Sequence, residues 1–148
     1  MNTLNVLIID DDPCFVPFLP KNEGVKYSFA TTEHEMRVKL SEKPDVILMD
    51  GSLFGWRDNF DEGAVVVSTL RSEGLATPII MFSSEEKKNN DGFAVGANAA
   101  YNKKLLYKER VSLLTLILQQ AEVKSRIPSP ETMADLAHFV EQGYLSDK

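Results

Sequence analysis

The sequence predicts an α/β fold built on a parallel sheet whose two faces are covered by helices. Short apolar runs alternate with longer amphipathic runs, which is the pattern of repeated βα units. Several of the apolar runs are almost free of polar residues, as strands buried on both faces are. The 148 residues are 43% hydrophobic and 26% charged, which suits one globular domain with a single core.

Five strands are predicted in order along the chain. They read LNVLII, VKYSFA, DVILM, PIIMF and AAYN, and they span residues 4–9, 25–30, 45–49, 78–82 and 99–102. The first, third and fourth are almost wholly apolar, so we expect helices over both of their faces.

The first predicted helix lies in a proline-rich stretch. It begins at Pro13 behind the N-cap residue Asp12, because proline is favoured at the first helical position. Pro17 and Pro20 follow closely, and each lacks the N–H that a helix needs in its interior. We therefore expect this helix to be short or kinked.

Capping signals and glycines delimit the other helices. Thr32 and Glu35 form a capping box that starts the second helix, which ends before Pro44. Gly74 and Gly96 each terminate one of the next two helices. The third, fourth and fifth helices are predicted at about residues 62–73, 85–95 and 105–125.

The aliphatic residues of the fifth helix divide into two sets. We assign the first set to the core, namely Val111, Leu114 and Leu118. The second set is available for an interface with the C-terminal segment or with a second copy of the chain, namely Leu113, Leu116 and Ile117.

The chain divides into a main domain of residues 1–125 and a C-terminal helical tail of residues 126–148. In the tail, Ser129 can cap a helix that has Pro130 in its first turn and ends at Gly143. Its apolar residues recur at helical spacing in one stripe, namely Met133, Leu136, Ala137, Val140 and Tyr144. This stripe must dock on the same domain or on a partner.

Composition excludes several classes of function. The net charge of −6 and the pI of about 4.9 disfavour direct binding to nucleic acid, because such a surface repels phosphate backbones. Cys14 is the single cysteine, so an intramolecular disulfide is impossible. The N-terminus does not resemble a signal peptide and no apolar run is long enough to span a membrane. We expect a cytoplasmic protein that does not interact with membranes.

Polar and charged side chains follow four of the five predicted strands. They are Asp10, Asp11 and Asp12 after the first, Asp50 after the third, Ser83 and Ser84 after the fourth, and Lys103 and Lys104 after the fifth. Ligands of open parallel sheets bind beyond the carboxyl ends of the strands, so these groups converge on one rim. Each alone has an ordinary reading as a cap, turn or surface residue, and Ser83 with Glu86 fits a capping box. Their coincidence favours a site.

The chemistry of that rim is coherent. Crowded carboxylates repel one another and need a cation, and Mg²⁺ prefers oxygen ligands. Asp50, held near such an ion, can act as a nucleophile toward a phosphoryl donor and form an aspartyl phosphate. A lysine ammonium supplies further positive charge, and the hydroxyl of Ser83 can donate a hydrogen bond to a phosphoryl oxygen.

Four segments resemble the motifs of response-regulator receiver domains of two-component signalling: VLIIDDDP, PDVILMDGSL, TPIIMFSS and GANAAYNKK. They occur in family order, and the resemblance, which is to the single-domain chemotaxis and sporulation-relay regulators, covers about residues 4–120. It implies a flavodoxin-like, doubly wound sheet with strand order 2-1-3-4-5 and five helices. By position, six residues take the family's roles: the phosphoacceptor Asp50, the acidic Mg²⁺ pair Asp10 and Asp11, the third ligand at the carbonyl of Ser52, the switch hydroxyl Ser83 and the invariant lysine Lys103.

The sequence departs from the family after the phosphoacceptor. Phe54 stands where the family has proline, and Gly63, which begins the third helix, comes about five residues late. The inserted stretch GWRDNFDEG brings an aromatic residue and charges beside the site, namely Trp56, Arg57, Asp58 and Asp61. Most loop insertions are neutral, but an aromatic residue and charges this close to the site could gate water or a kinase.

A second departure surrounds the lysine. Counting from Gly96 selects Lys103 and puts Ala100 at the family's switch aromatic position, whereas counting from Tyr101 selects Lys104. Lys104 occupies the place of a proline whose peptide bond is cis in the family. We expect either a trans bond with a shifted loop or a strained exception.

The resemblance implies a signalling switch that takes a phosphoryl group from a histidine kinase or a histidine phosphotransfer protein and then changes its binding to a downstream protein. Such a domain catalyses only its own phosphorylation and dephosphorylation. A pseudo-receiver that phosphorylation does not control is the alternative. A haloacid-dehalogenase-type phosphohydrolase is disfavoured, because it needs aspartate where this chain has Ser52.

Overall fold

Residues 3–126 are described by the structure, a computed structural model, and they contain a five-stranded parallel sheet. Its strands are β1 (Leu4–Ile9), β2 (Val25–Ala30), β3 (Val46–Met49), β4 (Ile79–Ser83) and β5 (Ala99–Asn102). Their spatial order is β2-β1-β3-β4-β5, and every neighbouring pair is parallel. The predicted fold class and strand order are confirmed. The predicted tail lies beyond the described residues, apart from its first residue.

Four α-helices accompany the sheet in residues 3–126: α1 (Glu33–Ser41), α2 (Gly63–Ser72), α3 (Glu86–Ala94) and α4 (Val111–Arg126). The predicted capping box starts α1, because Thr32 Oγ1 accepts a hydrogen bond of 3.1 Å from the N–H of Glu35. Gly74 and Gly96 follow α2 and α3 with positive φ angles of 95° and 125°, which end both helices as predicted.

The predicted first helix does not form. Only a 3₁₀ turn at Val16–Phe18 lies between β1 and β2. Proline residues before, within and after this turn remove the N–H groups that would extend it into an α-helix. Phe15 and Leu19, on either side of the turn, are nevertheless buried against the sheet. The sequence predicted a short or kinked helix here, and the structure has only a 3₁₀ turn. The described part of the chain therefore has four α-helices instead of the five that the resemblance implies.

The predicted inner face of the last helix was also wrong. A 3₁₀ turn at Lys103–Tyr107 precedes α4, which begins only at Val111. Val111 is 72% and Leu118 46% exposed, whereas Leu113 and Ile117 are fully buried. Apolar residues occur all round this helix, so the sequence alone did not show which of its sides faces the core. In residues 3–126, no helix has both the length and the apolar character needed to cross a bilayer.

The core has two layers, one on each face of the sheet. Alternate residues of each strand point to opposite faces. Leu7, Ile47 and Met81 belong to the layer that α1, α2 and α3 cover. Ile8, Leu48 and Phe82 belong to the opposite layer, which α4 and the proline-rich stretch cover. Both layers end at the carboxyl edge of the sheet, where the candidate site lies.

Candidate functional site

Three carboxylates meet at the carboxyl edge of the central strands. Asp10 directly follows β1 and is 2% exposed, and Asp50 directly follows β3 and is 9% exposed. Asp11 joins them, so that one oxygen from each carboxylate lies within 4.8 Å of the others. Asp12 is exposed, and its N–H donates a hydrogen bond of 2.8 Å to Asp10 Oδ1, which fixes the turn after β1. The predicted acidic cluster is thus assembled.

Lys103 connects two of these carboxylates. Its Nζ donates hydrogen bonds to Asp10 Oδ2 at 2.8 Å and to Asp50 Oδ1 at 3.2 Å. The rings of Phe15 and Phe82 lie beneath the ammonium group, with centroids 4.9 and 5.4 Å from Nζ. Two carboxylates and two aromatic faces therefore hold this positive charge in a mostly buried position.

Lys104, in contrast, is exposed and does not reach the carboxylates. Its backbone N–H donates to Asn102 Oδ1 at 2.9 Å, which starts the following 3₁₀ turn. Every peptide bond within residues 3–126 is trans, so the bond before Lys104 is trans and not a strained cis exception. Of the two candidate lysines, Lys103 is the one that the structure places at the site.

The position predicted for the switch aromatic carries no ring. Ala100 is exposed, and its neighbour Tyr101 is buried in the opposite direction. The hydroxyl of Tyr101 lies 2.9 Å from Ser112 Oγ and donates to the carbonyl of Glu109 at 3.1 Å. These contacts anchor Tyr101 to the start of α4 rather than to the site.

Burial and mutual repulsion change the acidity of the cluster. Burial raises the pKa of Asp50 to about 6; Lys103 opposes this rise and the negative charge of Asp10 adds to it. Burial also raises the pKa of Asp11, and Asp10 again contributes. Burial alone would lower the pKa of Lys103, but Asp50 and Asp10 outweigh it and raise this pKa, so the ammonium stays charged.

Ser83 ends β4 at this rim and is 4% exposed. Its Oγ accepts a hydrogen bond of 3.1 Å from the N–H of Glu85, which leaves the hydroxyl hydrogen for another acceptor. Glu85 is the N-cap of α3, so the predicted capping box between Ser83 and Glu86 does not form. The buried side chain of Asn89 holds the backbone of Ser83. Its Oδ1 accepts a hydrogen bond from the N–H of Ser83, and its Nδ2 donates one to the carbonyl of Ser83, both at 3.0 Å.

Two glycines bring the strand ends close together. A Cβ on Gly51 would lie 2.9 Å from Ser83 Oγ, so the serine hydroxyl packs against the residue after the predicted phosphoacceptor. A Cβ on Gly63 would overlap the carbonyl oxygen of Asp50. Gly63 therefore begins α2 directly beneath Asp50 despite the insertion that delays it along the chain.

Ser52 follows Asp50 by two residues, and its backbone carbonyl is the predicted third ligand. It faces Glu62 in an isolated antiparallel bridge, whose two hydrogen bonds are made by the neighbouring residues. In such a pair the N–H and C=O of Ser52 point away from the partner strand. The bridge therefore does not use this carbonyl, and its role as a metal ligand stays a prediction.

The insertion forms a packed loop. Trp56 is 9% exposed, and its Nε1 donates a hydrogen bond of 2.9 Å to the carbonyl of Thr31. Arg57 pairs with both carboxylate oxygens of Glu33 at 2.6 and 3.0 Å, and its guanidinium lies 4.2 Å from the centroid of the buried Phe60 ring. The loop is thereby tied to the start of α1, and a cleft of about 800 Å³ separates it from Asp11. Gating by this loop stays a prediction.

Sequence reasoning missed two residues near the site. Asn89 was hidden in a helix of mostly polar residues, where nothing distinguishes a buried amide from an exposed one. Lys88 packs close to Gly51 and pairs with both oxygens of Glu62 at 2.8 and 2.7 Å. No local motif announces a contact between residues 26 positions apart.

The described fold is similar to receiver domains of response regulators. No family model matches this sequence, and neither does any curated protein. The signal receiver domain of the response regulator NarL from Mycobacterium tuberculosis is 22% identical with a TM-score of 0.65, over 82% of this chain and 98% of that chain. A CheY-like receiver domain from Methanospirillum hungatei JF-1 is 20% identical with a TM-score of 0.66, over 84% and 98%.

The BeF3-activated DrrB receiver domain is 16% identical with a TM-score of 0.63, over 81% of this chain and 98% of that chain. At these identities the likeness shows the fold. The predicted resemblance to receiver domains is therefore confirmed at that level. The roles of individual residues depend on the geometry of the site and on experiment.

The donor set at the rim fits Mg²⁺. Three carboxylates lie beside a single lysine ammonium, which leaves two negative charges in a largely buried space. All of the available donors are oxygens, which are the ligands that Mg²⁺ prefers. A divalent cation would balance the charge and relieve the repulsion that raises the pKa of Asp50 and Asp11.

Proposed function

We propose that this chain is a response-regulator receiver that accepts a phosphoryl group on Asp50 and changes its protein contacts as a result. The observation that carries the proposal is the contact of Lys103 with both Asp10 and Asp50 at the rim where Asp11 completes an acidic cluster. This arrangement combines a nucleophile, a site for a divalent cation and a fixed positive charge, which phosphoryl transfer requires.

Asp50 performs the covalent step. One carboxylate oxygen attacks phosphorus, an O–P bond forms, and the N–P bond of a phosphohistidine donor breaks with its electron pair returning to the imidazole. Lys103 then binds an oxygen of the transferred group, and the hydroxyl hydrogen of Ser83 donates to another. Water later hydrolyses the acyl phosphate slowly, which releases inorganic phosphate and regenerates the Asp50 carboxylate. The protein needs no separate substrate.

Asp10, Asp11, Asp50 and the carbonyl of Ser52 would hold Mg²⁺. When bound, the ion would neutralise negative charge on the incoming phosphoryl group and would favour the ionised form of Asp50 at neutral pH. Asp10 also accepts hydrogen bonds of 2.8 Å from Lys103 at Oδ2 and from the N–H of Asp12 at Oδ1, which hold its carboxylate in place for this role.

The partners that follow from this chemistry are a histidine kinase or a histidine phosphotransfer protein, and a downstream protein target, in the cytoplasm. A homodimer is a further possibility that the sequence raised. Because Leu113 and Ile117 are buried, an interface through α4 would have to use its exposed Val111 and Leu118 instead.

The proposal is tested by incubating the protein with Mg²⁺ and acetyl phosphate and measuring the intact mass. We expect a gain of about 80 Da, the mass of one phosphoryl group, that EDTA prevents. Asp50→Asn removes the nucleophile and should abolish the gain, whereas Asp12→Asn, an exposed neighbour of the cluster, should retain it. An unchanged mass in the wild type, or a gain that persists in Asp50→Asn, would refute the proposal.

A pseudo-receiver remains a second candidate because Ala100 offers no ring to move and Tyr101 is anchored to α4. In that case phosphorylation would leave partner binding unchanged. Affinity for a captured partner, measured with and without beryllofluoride and Mg²⁺, separates the two. A difference supports the switch, and equal affinities support the phosphorylation-independent module.

A further inference from the structure

The two faces of the sheet are covered unequally. Three helices, α1, α2 and α3, pack on one face, whereas α4 is the only helix among the described residues on the other. On that second face a 3₁₀ turn of three residues, Val16–Phe18, stands where a crossover helix between β1 and β2 would lie. A parallel sheet normally has helices over both faces.

The shortage of cover is concentrated at β2. Val25, Tyr27 and Phe29 of β2 point to the second face, because they are paired in register with Leu4, Val6 and Ile8 of β1. Val6 and Ile8 are almost fully buried, but Leu4 and all three β2 residues are only partly buried. We call Leu4, Val25, Tyr27 and Phe29 the β2 strip.

The proline-rich stretch covers the β2 strip only in part, with the Pro20 carbonyl accepting a hydrogen bond of 2.7 Å from the Tyr27 hydroxyl, and one more helix would complete the cover. Strands lie about 4.8 Å apart and a helix with its side chains is about 10 Å wide, so one helix covers roughly two strands. Helix α4 packs against the central strand β3. The two strands β1 and β2 together are therefore about one helix wide, and Leu116 and Ala121 of α4 are only partly buried against the core layer of the same face.

The chain after α4 starts from the correct end of this strip. Tyr101, near the carboxyl end of β5, contacts Ser112 at the start of α4. The 16 residues of α4 are about 24 Å long, which is enough to bring the chain from there to the opposite edge of the sheet, where β1 and β2 begin. A helix over residues 130–142 would be about 20 Å long, which matches the six residues of β1 or β2 at about 3.3 Å each.

We propose that residues 130–142, which lie outside the described residues, form an amphipathic helix that packs on the β2 strip and replaces the missing crossover helix. Ile127, Pro128 and Ser129 would make the turn after α4. Met133, Leu136, Ala137 and Val140 recur at helical spacing and would face the strip. The helix is too short to persist alone in water, so its formation depends on this docking.

Hydrogen–deuterium exchange on the full chain tests the proposal. We expect amides of 131–142 to exchange at least about 10-fold more slowly than in an unstructured peptide. Leu136→Lys places a charge in the apolar stripe and should abolish this protection and speed exchange in β2. Gln142→Lys adds the same charge half a turn from the stripe and should leave both unchanged.

A reciprocal pair of variants on the sheet locates the docking surface. Val25→Glu, in the β2 strip, should release residues 131–142, whereas Lys26→Glu, on the exposed opposite side of the same strand, should not. Protection of β3 and β4 amides reports that each variant is folded. The measurement is made at two protein concentrations 100-fold apart, about the range over which a weak dimer dissociates.

Three outcomes would overturn the proposal. Unprotected amides at 131–142 in the wild type would mean that the segment does not dock on this domain. Protection that survives Val25→Glu would place it on another surface. Protection that disappears on dilution would show that a second copy, rather than the same chain, supplies the helix.

Discussion

Replacing Asp50 by asparagine should stabilise the protein in the absence of Mg²⁺. Burial raises the pKa of this carboxyl from its ordinary 3.8 to about 6, so the folded state opposes its ionisation. At about 1.4 kcal/mol per tenfold change in proton affinity, the rise corresponds to ~3 kcal/mol of folding free energy lost above pH 6. Asparagine removes the charge but adds amide hydrogens that face Lys103, so we expect a net gain of about 1–2 kcal/mol at pH 8.

The pH dependence has a definite sign. Between about pH 4 and 6 the folded protein binds a proton at Asp50 more tightly than the unfolded chain does, so this residue reduces stability progressively as the pH rises through that window. The difference in stability between Asp50→Asn and the wild type should therefore be largest at pH 8 and shrink toward pH 4. It should also shrink when Mg²⁺ binds the wild type.

Urea denaturation in EDTA, followed by circular dichroism at pH 8 and at pH 4.5, measures this difference. Asp12→Asn removes one charge from an exposed position beside the cluster and should change stability by less than about 0.5 kcal/mol. If Asp50→Asn is no more stable than the wild type at pH 8, or if its advantage does not depend on pH, the description of Asp50 as a buried, repelled carboxylate is incorrect.

Three further variants test other contacts. Lys103→Met leaves buried carboxylates without their cation and should lower the free energy of unfolding by about 2–4 kcal/mol in EDTA at pH 8. Urea denaturation should show that Mg²⁺ partly restores this loss, and the absence of any rescue would contradict the expectation. Gly63→Ala pushes a methyl group into the carbonyl of Asp50 and should lower the free energy of unfolding by about 2–4 kcal/mol. Thermal denaturation measures this loss, and a stability within about 1 kcal/mol of the wild type would contradict the prediction. Trp56→Phe keeps a buried ring but loses the hydrogen bond to the carbonyl of Thr31, so we expect chemical denaturation to show a free energy of unfolding lower by about 1 kcal/mol. An unchanged value would mean that the indole N–H does not stabilise the loop.

The sheet could be predicted from the sequence because its strands carry local signals. The buried runs before Asp10 and Asp50 are apolar on both faces, and capping residues or glycines mark the helices between strands. Position after a strand was enough to bring the carboxylates and Lys103 to one rim, since all parallel strands end at the same edge. The choice of Lys103 over Lys104 needed the geometry of the turn after β5.

Other features depend on contacts between distant parts of the chain. The phase of α4 follows from the 3₁₀ turn before it, and apolar residues around the helix concealed which side is buried. The prolines indicated a weak first helix, but the sequence did not show that Phe15 and Leu19 would cover the sheet without one. The partner of Trp56 lies 25 residues away, and no local pattern encodes such a contact.

Chemical trapping of the acyl phosphate tests the central claim most directly. The protein is incubated with Mg²⁺ and acetyl phosphate and then treated with borohydride, which reduces an aspartyl phosphate to homoserine, and the modified residue is located by tandem mass spectrometry. We predict homoserine at residue 50 and unmodified aspartate at residues 10 and 11. Homoserine at another position, or none in a sample whose folded state is verified, would contradict the assignment of Asp50 as the phosphoacceptor.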